Sequence, residues 1–131
     1  MLMITFNKRP IKNILSDNME HDVRPWGEYF VLEDSDTHKV KRIEVNPEGR
    51  LSYQYHQKRS EVWTIVQGKG TITLNDEVNV IQSGDVIEIP QGAKHRIENR
   101  GEEVLVFIEV QLGSYFGEDD IVRIEDDYDR V

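Results

Sequence analysis

The sequence predicts an all-β domain, an antiparallel sandwich or barrel, on three observations. Its apolar runs are short, at four to eight residues; turn residues separate almost every pair of runs; and no long stretch carries helical periodicity. The leading residues 1–23 show mixed polarity without a clear period and are read as an N-terminal arm, with a helical turn around Ile11–Leu15. Arg24-Pro25-Trp26-Gly27 reads as a turn, because proline fixes φ and glycine permits a tight bend. Strands are then expected at Tyr29–Glu33, Lys39–Val45, Leu51–Tyr55 and Val62–Gln67, the second ending at Asn46-Pro47-Glu48-Gly49 and the fourth at Gly68-Lys69-Gly70. Thr71–Leu74 and Glu77–Ile81 flank Asn75-Asp76, a hairpin signal. Val86–Ile89, His95–Asn99 and Val104–Gln111 follow, separated by Pro90-Gln91-Gly92 and Arg100-Gly101, and the tail after Gly113 is read as holding at most a helical turn.

A length of 131 residues suits one domain with a single core, here residues 24–131 including the acidic tail. The chain has no cysteine, which excludes disulfides, thiolate metal sites and cysteine nucleophiles and fits a reducing compartment. The apolar start, Met1-Leu2-Met3-Ile4-Thr5-Phe6, is too short for a signal sequence, and no run approaches the roughly 20 apolar residues that span a bilayer. A soluble cytoplasmic protein is expected. With a net charge of −9, much of it between Gly117 and Asp129, the chain lacks the basic stripe that nucleic-acid binding requires.

Two segments carry chemistry. The first is Gly49 to Glu61, followed by an apolar run that stops at Gly68; the second runs from Gly84 to Asn99. Residues two apart in a strand share a face, so Gln54 and His56 point one way while Tyr53 and Tyr55 point the other. Glu61 opens the next strand and His95 a later one. Together Gln54, His56, Glu61 and His95 offer two imidazole nitrogens, a carboxylate and a carboxamide. That N/O set suits one divalent Zn, Mn, Co, Ni or Fe ion and leaves coordination positions for water or substrate.

These segments resemble the two signature motifs of the cupin superfamily. Gln54-x-His56, four residues, Glu61, six residues and Gly68 match the first, with Gln where the first His usually stands. Gly84, Pro90, Gly92, His95 and Asn99 match the second at every position. The resemblance implies a small double-stranded β-helix, the jelly-roll barrel of cupins. Further likeness lies in Arg24-Pro25-Trp26-Gly27, Lys39-Val40-Lys41-Arg42, Arg59-Ser60-Glu61-x-Trp63, Glu109-Val110-Gln111 and the tail from Gly117 to Tyr128. On these the chain resembles type II mannose-6-phosphate isomerase, usually the C-terminal part of a bifunctional enzyme with mannose-1-phosphate guanylyltransferase activity. The chain departs from that family at His56-Gln57-Lys58-Arg59 and Glu61-Val62-Trp63, where three His then Arg, and Glu-His-Trp, are common. It shows no glycine-rich phosphate loop, so nucleotidyl transfer is not expected of it alone.

The resemblance implies interconversion of mannose 6-phosphate and fructose 6-phosphate on a metal held by the four ligands. Glu109 and Lys41 are the candidates for proton transfer, ahead of His21 and His38, and Arg50, Lys58, Arg96 and Arg123 form the pool for the phosphate. Trp26 and Trp63 are expected in the core. Cupin barrels commonly dimerise through edge strands, so a homodimer is expected. Two other readings compete: a non-catalytic sugar-phosphate-binding cupin or accessory subunit, and an Fe(II) dioxygenase using His56, Glu61 and His95.

Overall fold

A computed structural model of the chain describes residues 20–128 and Arg130. The helical turn expected around Ile11–Leu15 lies outside the described residues, as does nearly all of the N-terminal arm. Eleven strands follow in order: β1 (His21–Arg24), β2 (Gly27–Asp34), β3 (His38–Val45), β4 (Tyr53–Tyr55), β5 (Arg59–Gln67), β6 (Lys69–Leu74), β7 (Glu77–Gln82), β8 (Val86–Ile89), β9 (His95–Glu98), β10 (Leu105–Gly113) and β11 (Val122–Glu125). They form two antiparallel sheets, ordered β1-β2-β3-β10-β5-β8 and β11-β4-β9-β6-β7. Nine strands sit where the sequence places them. The other two do not follow from its pattern. β1 falls inside the expected arm and turns at Pro25-Trp26 into β2, while β11 replaces the helical turn expected after Gly113. Both are short, half-exposed edge strands, and without a buried face they have no apolar alternation to announce them.

The local chemistry explains the joints. Asn75 and Asp76 both adopt positive φ, at 48° and 68°, which gives the two-residue turn whose twist matches the β6–β7 hairpin. Gly27 sits at φ 154°, and a β-carbon there would lie 2.0 Å from the Glu44 carbonyl oxygen, so only glycine lets β2 close on β3. Asn99 is buried and ties the β9–β10 loop to the end of β3. Its amide donates to the Val45 and Glu103 carbonyls at 2.9 and 2.8 Å and its oxygen accepts from Gly101 N at 2.9 Å. Asn99→Ala would leave those backbone groups without partners, at an expected loss of about 2 kcal/mol. A urea-midpoint shift worth less than about 0.5 kcal/mol would refute this role.

The core lies between the sheets. Along β3, β5 and β10 alternate residues point inward, and their register sets them in rows across the sheet. Ile43, Phe107 and Ile65 form one row, Lys41, Glu109 and Trp63 the next, and Lys39, Gln111 and Glu61 the third. The same inward face therefore passes from hydrocarbon to charge within four residues of strand. On the opposite sheet Ile72 pairs with Ile97 over the apolar end, and Gln54 and His95 are cross-strand partners over the polar end. Trp26 and Trp63 are both buried in the core cluster.

Candidate metal centre

The polar rows and the facing strands enclose a cavity lined by Gln54, His56, Glu61 and His95 together with Lys41, Glu109 and Trp63. His56, Glu61 and His95 are all buried, and one donor atom from each lies within 4.8 Å of the others. His56 Nε2 is 3.2 Å from Glu61 Oε2, and His95 Nε2 is 3.8 Å from Glu61 Oε1.

Backbone carbonyls set the tautomers of both rings. A carbonyl can only accept, so His56 Nδ1 must donate to the Asp120 oxygen at 2.6 Å and His95 Nδ1 to the Ala93 oxygen at 2.9 Å. Each Nε2 then presents a lone pair inward, the arrangement of metal-ligating histidines. Burial, followed by Arg59 and His95, lowers the His56 pKa to about 4. Burial likewise lowers that of His95, so both rings stay neutral at physiological pH.

Two further observations bear on whether these residues fit a divalent ion. His95 Nε2 and Gln54 Oε1 are buried without a hydrogen-bond partner among the described residues, and both are metal-competent atoms. The two nitrogens and two oxygens form a hard-to-borderline set without sulfur. The residues fit. Arg59 adds a qualification: its Nε donates to Glu61 Oε2 at 2.9 Å and its Nη2 lies 3.3 Å from His56 Nε2. A metal ion and this guanidinium would compete for the same lone pairs.

Glu61 and Glu109 share one donor, Trp63 Nε1, which is 3.0 Å from an oxygen of each. Gln111 Nε2 donates to the other Glu109 oxygen at 2.8 Å. Burial, then the nearby Glu61 carboxylate, raises the Glu109 pKa to about 7. The Lys41 ammonium lies 4.2 Å from the centre of the Tyr29 ring and pairs with Glu118.

Of the four cations the sequence nominates for a phosphate, only Arg123 lines the cavity. Arg96 follows His95 directly, so strand alternation turns it to the opposite face, where it donates to the Leu51 carbonyl at 2.9 Å and pairs with Glu125. Arg50 lies on that outer side too, 3.7 Å from Glu98 and from Asp127. Lys58 is exposed above the Tyr115 ring. In their place the structure brings Arg24, Arg59 and Arg130 to the cavity wall, with Glu118 and Tyr29. Arg59 was legible, since it stands two residues before Glu61 on one strand. His21 and His38 pair with Glu28 and Glu33 at the surface, outside the cavity lining.

Among the described residues no helix is long and apolar enough to cross a membrane. Comparison with known proteins adds the following. The family model described as Mannose-6-phosphate isomerase C-terminal matches residues 13–126. The chain is similar to mannose-1-phosphate guanylyltransferase ManC of Salmonella typhimurium, 42% identical over 130 residues that make 95% of this chain and 27% of that protein. It is also similar to xanthan biosynthesis protein XanB of Xanthomonas campestris pv. campestris, 47% identical over 108 residues, 82% of this chain and 23% of that one. The chain thus spans about a quarter of the length of these relatives. The cupin domain of Schizosaccharomyces pombe Cnp3 superposes with a TM-score of 0.65 over 76% of this chain and 70% of its own, at 17% identity, a likeness of fold alone.

Proposed function

The chain belongs to the mannose-6-phosphate isomerase C-terminal family, a cupin family, and from that premise we propose that it interconverts mannose 6-phosphate and fructose 6-phosphate. The observation that carries this reading is the buried His56–Glu61–His95 cluster, with its ring nitrogens turned inward, set beside Glu109 and Lys41 in one cavity. Gln54, His56, Glu61 and His95 would hold a divalent ion. Bound there, such an ion would supply Lewis-acid polarisation of the substrate's oxygens.

The remaining work falls to side chains. Glu109 takes the proton from one carbon and returns it to its neighbour. A carboxyl raised to about 7 suits both directions at neutral pH, and Trp63 and Gln111 fix its two oxygens. Lys41 carries positive charge to the enediolate side of the cavity. Arg24, Arg123 and Arg130 receive the phosphate, as guanidiniums matched to its oxygens. Arg123 Nε is buried without a partner among the described residues and so has a donor to offer.

Metal-reconstituted protein incubated with mannose 6-phosphate is expected to form fructose 6-phosphate, while chelated protein and His95→Ala form none. Absence of turnover with Zn, Mn, Co, Ni and Fe, alongside tight sugar-phosphate binding, would replace the enzyme by a sugar-phosphate sensor or accessory subunit. Dioxygen consumption without isomerisation would assign an oxygenase.

A further inference from the structure

The segment between β10 and β11 is tied to the metal centre by contacts that its acidic composition does not announce. The Asp120 carboxylate accepts from the backbone N–H groups of Gln57 and Lys58, at 3.1 and 2.9 Å. Those two residues form the connection from His56 to β5, so the carboxylate staples this segment onto the link between two ligands, His56 and Glu61. The same residue's carbonyl accepts the His56 Nδ1 proton at 2.6 Å. Nearby, Lys39 Nζ donates to the Phe116 carbonyl at 3.4 Å, and Glu118 of the same segment pairs with Lys41.

The logic of the pair is one of place. The carbonyl touches the ring, but nothing in a carbonyl holds its own segment in position. The side chain does that, with two charge-assisted bonds to backbone donors one residue apart. His95 has no such need, because the carbonyl that fixes it belongs to Ala93, two residues away on its own strand approach.

We propose that Asp120 is a positioning residue for the metal centre, its carboxylate pinning the segment whose carbonyl holds His56 as the Nδ1–H tautomer with Nε2 turned to the cavity. The inference rests on the metal-centre reading for its consequence, but not for its geometry. Asp120→Ala loosens the segment at its join to Gln57 and Lys58, and the His56 ring then divides between tautomers and orientations. Affinity for Zn(II) falls about 10- to 100-fold, the usual effect of losing a group that orients a ligand. Asp120→Asn keeps one acceptor oxygen but turns an amide N–H toward the second backbone donor, so it recovers only part of the loss, and Asp120→Ser recovers less.

The experiment has two readouts on the full chain. Long-range ¹H–¹⁵N correlation spectra of metal-free protein report the His56 tautomer, and titration with Zn(II) against a competing chelator reports affinity. A core variant, Ile81→Ala, supplies a stability loss remote from the ring. The expected result is a shift from Nδ1–H in Asp120→Ala, a smaller shift in Asp120→Asn, and no shift in Ile81→Ala. If Asp120→Ala does not fold, the order of Asn before Ser carries the same test. An unchanged tautomer in Asp120→Ala or Asp120→Ser, or an equal shift in Ile81→Ala, overturns the proposal. Should the parent protein bind no Zn(II), the metal-centre reading fails alone, because the tautomer shift still decides the role of Asp120.

Discussion

His95→Ala is expected to remove the stabilisation that a divalent ion would confer at the proposed metal centre. A ligand present at about 100 times its Kd stabilises a fold by about 2.7 kcal/mol, which for a domain of this size raises Tm by roughly 10 °C. His95 supplies one of three buried donors within 4.8 Å of one another, and its Nε2 has no other partner among the described residues. Without it the site keeps one nitrogen, and affinity should fall by more than the roughly 100-fold that upper-range supporting residues cost. The ring also stands edge-on to Trp63, 5.8 Å between centres, so its removal opens a hole in the metal-free fold as well. His95→Leu, which keeps most of the volume and offers no donor, separates the two effects. The measurement is Tm with and without Zn(II), Mn(II) or Co(II). A metal-dependent rise that survives in both variants would sink the assignment of His95.

Phe107→Ala carries the largest expected loss of stability, about 3–5 kcal/mol. The side chain is fully buried at the centre of the apolar row, between Ile43 and Ile65, with its ring 4.6 Å from that of Trp63. Neither neighbour can close the space without leaving its own place in the sheet. Against a total of about 5–15 kcal/mol for a typical domain, this is a large share. Urea unfolding should show a lower midpoint with an unchanged slope. A loss below about 1.5 kcal/mol would mean that the two sheets collapse onto the vacancy, contrary to the packing described.

Most of the scaffold was readable because short β-type runs are separated by turn residues such as Asn46-Pro47, Gly68-Lys69-Gly70 and Pro90-Gln91-Gly92. Gln54 and His56 were readable as ligands because a spacing of two residues in a strand places them on one face. Alternation also places Arg96, one step out of phase with His95, on the face away from the cavity. What the pattern could not supply was the contribution of the chain's ends. Arg24, Glu118 and Arg130 reach the cavity, and Asp120 the Nδ1 side of His56, through tertiary pairing of β1 with β2 and β11 with β4. No local period encodes such meetings. Arg50 lies outside the cavity lining for a related reason, because its partners Glu98 and Asp127 come from distant parts of the chain.

The three rows across β3, β10 and β5 have one more consequence. Because inward and outward residues alternate singly, a slip of one residue in β10 would exchange Glu109 and Gln111 for Ile108 and Val110. Such a molecule would keep its strands and much of its greasy surface cover, yet lose the carboxylate beside Trp63 and every contact built on it. Chemical competence in this barrel therefore works as a checksum on strand pairing. On the proposed function, turnover would count the correctly threaded molecules in a refolded sample, including those that spectroscopy of the backbone alone cannot tell apart.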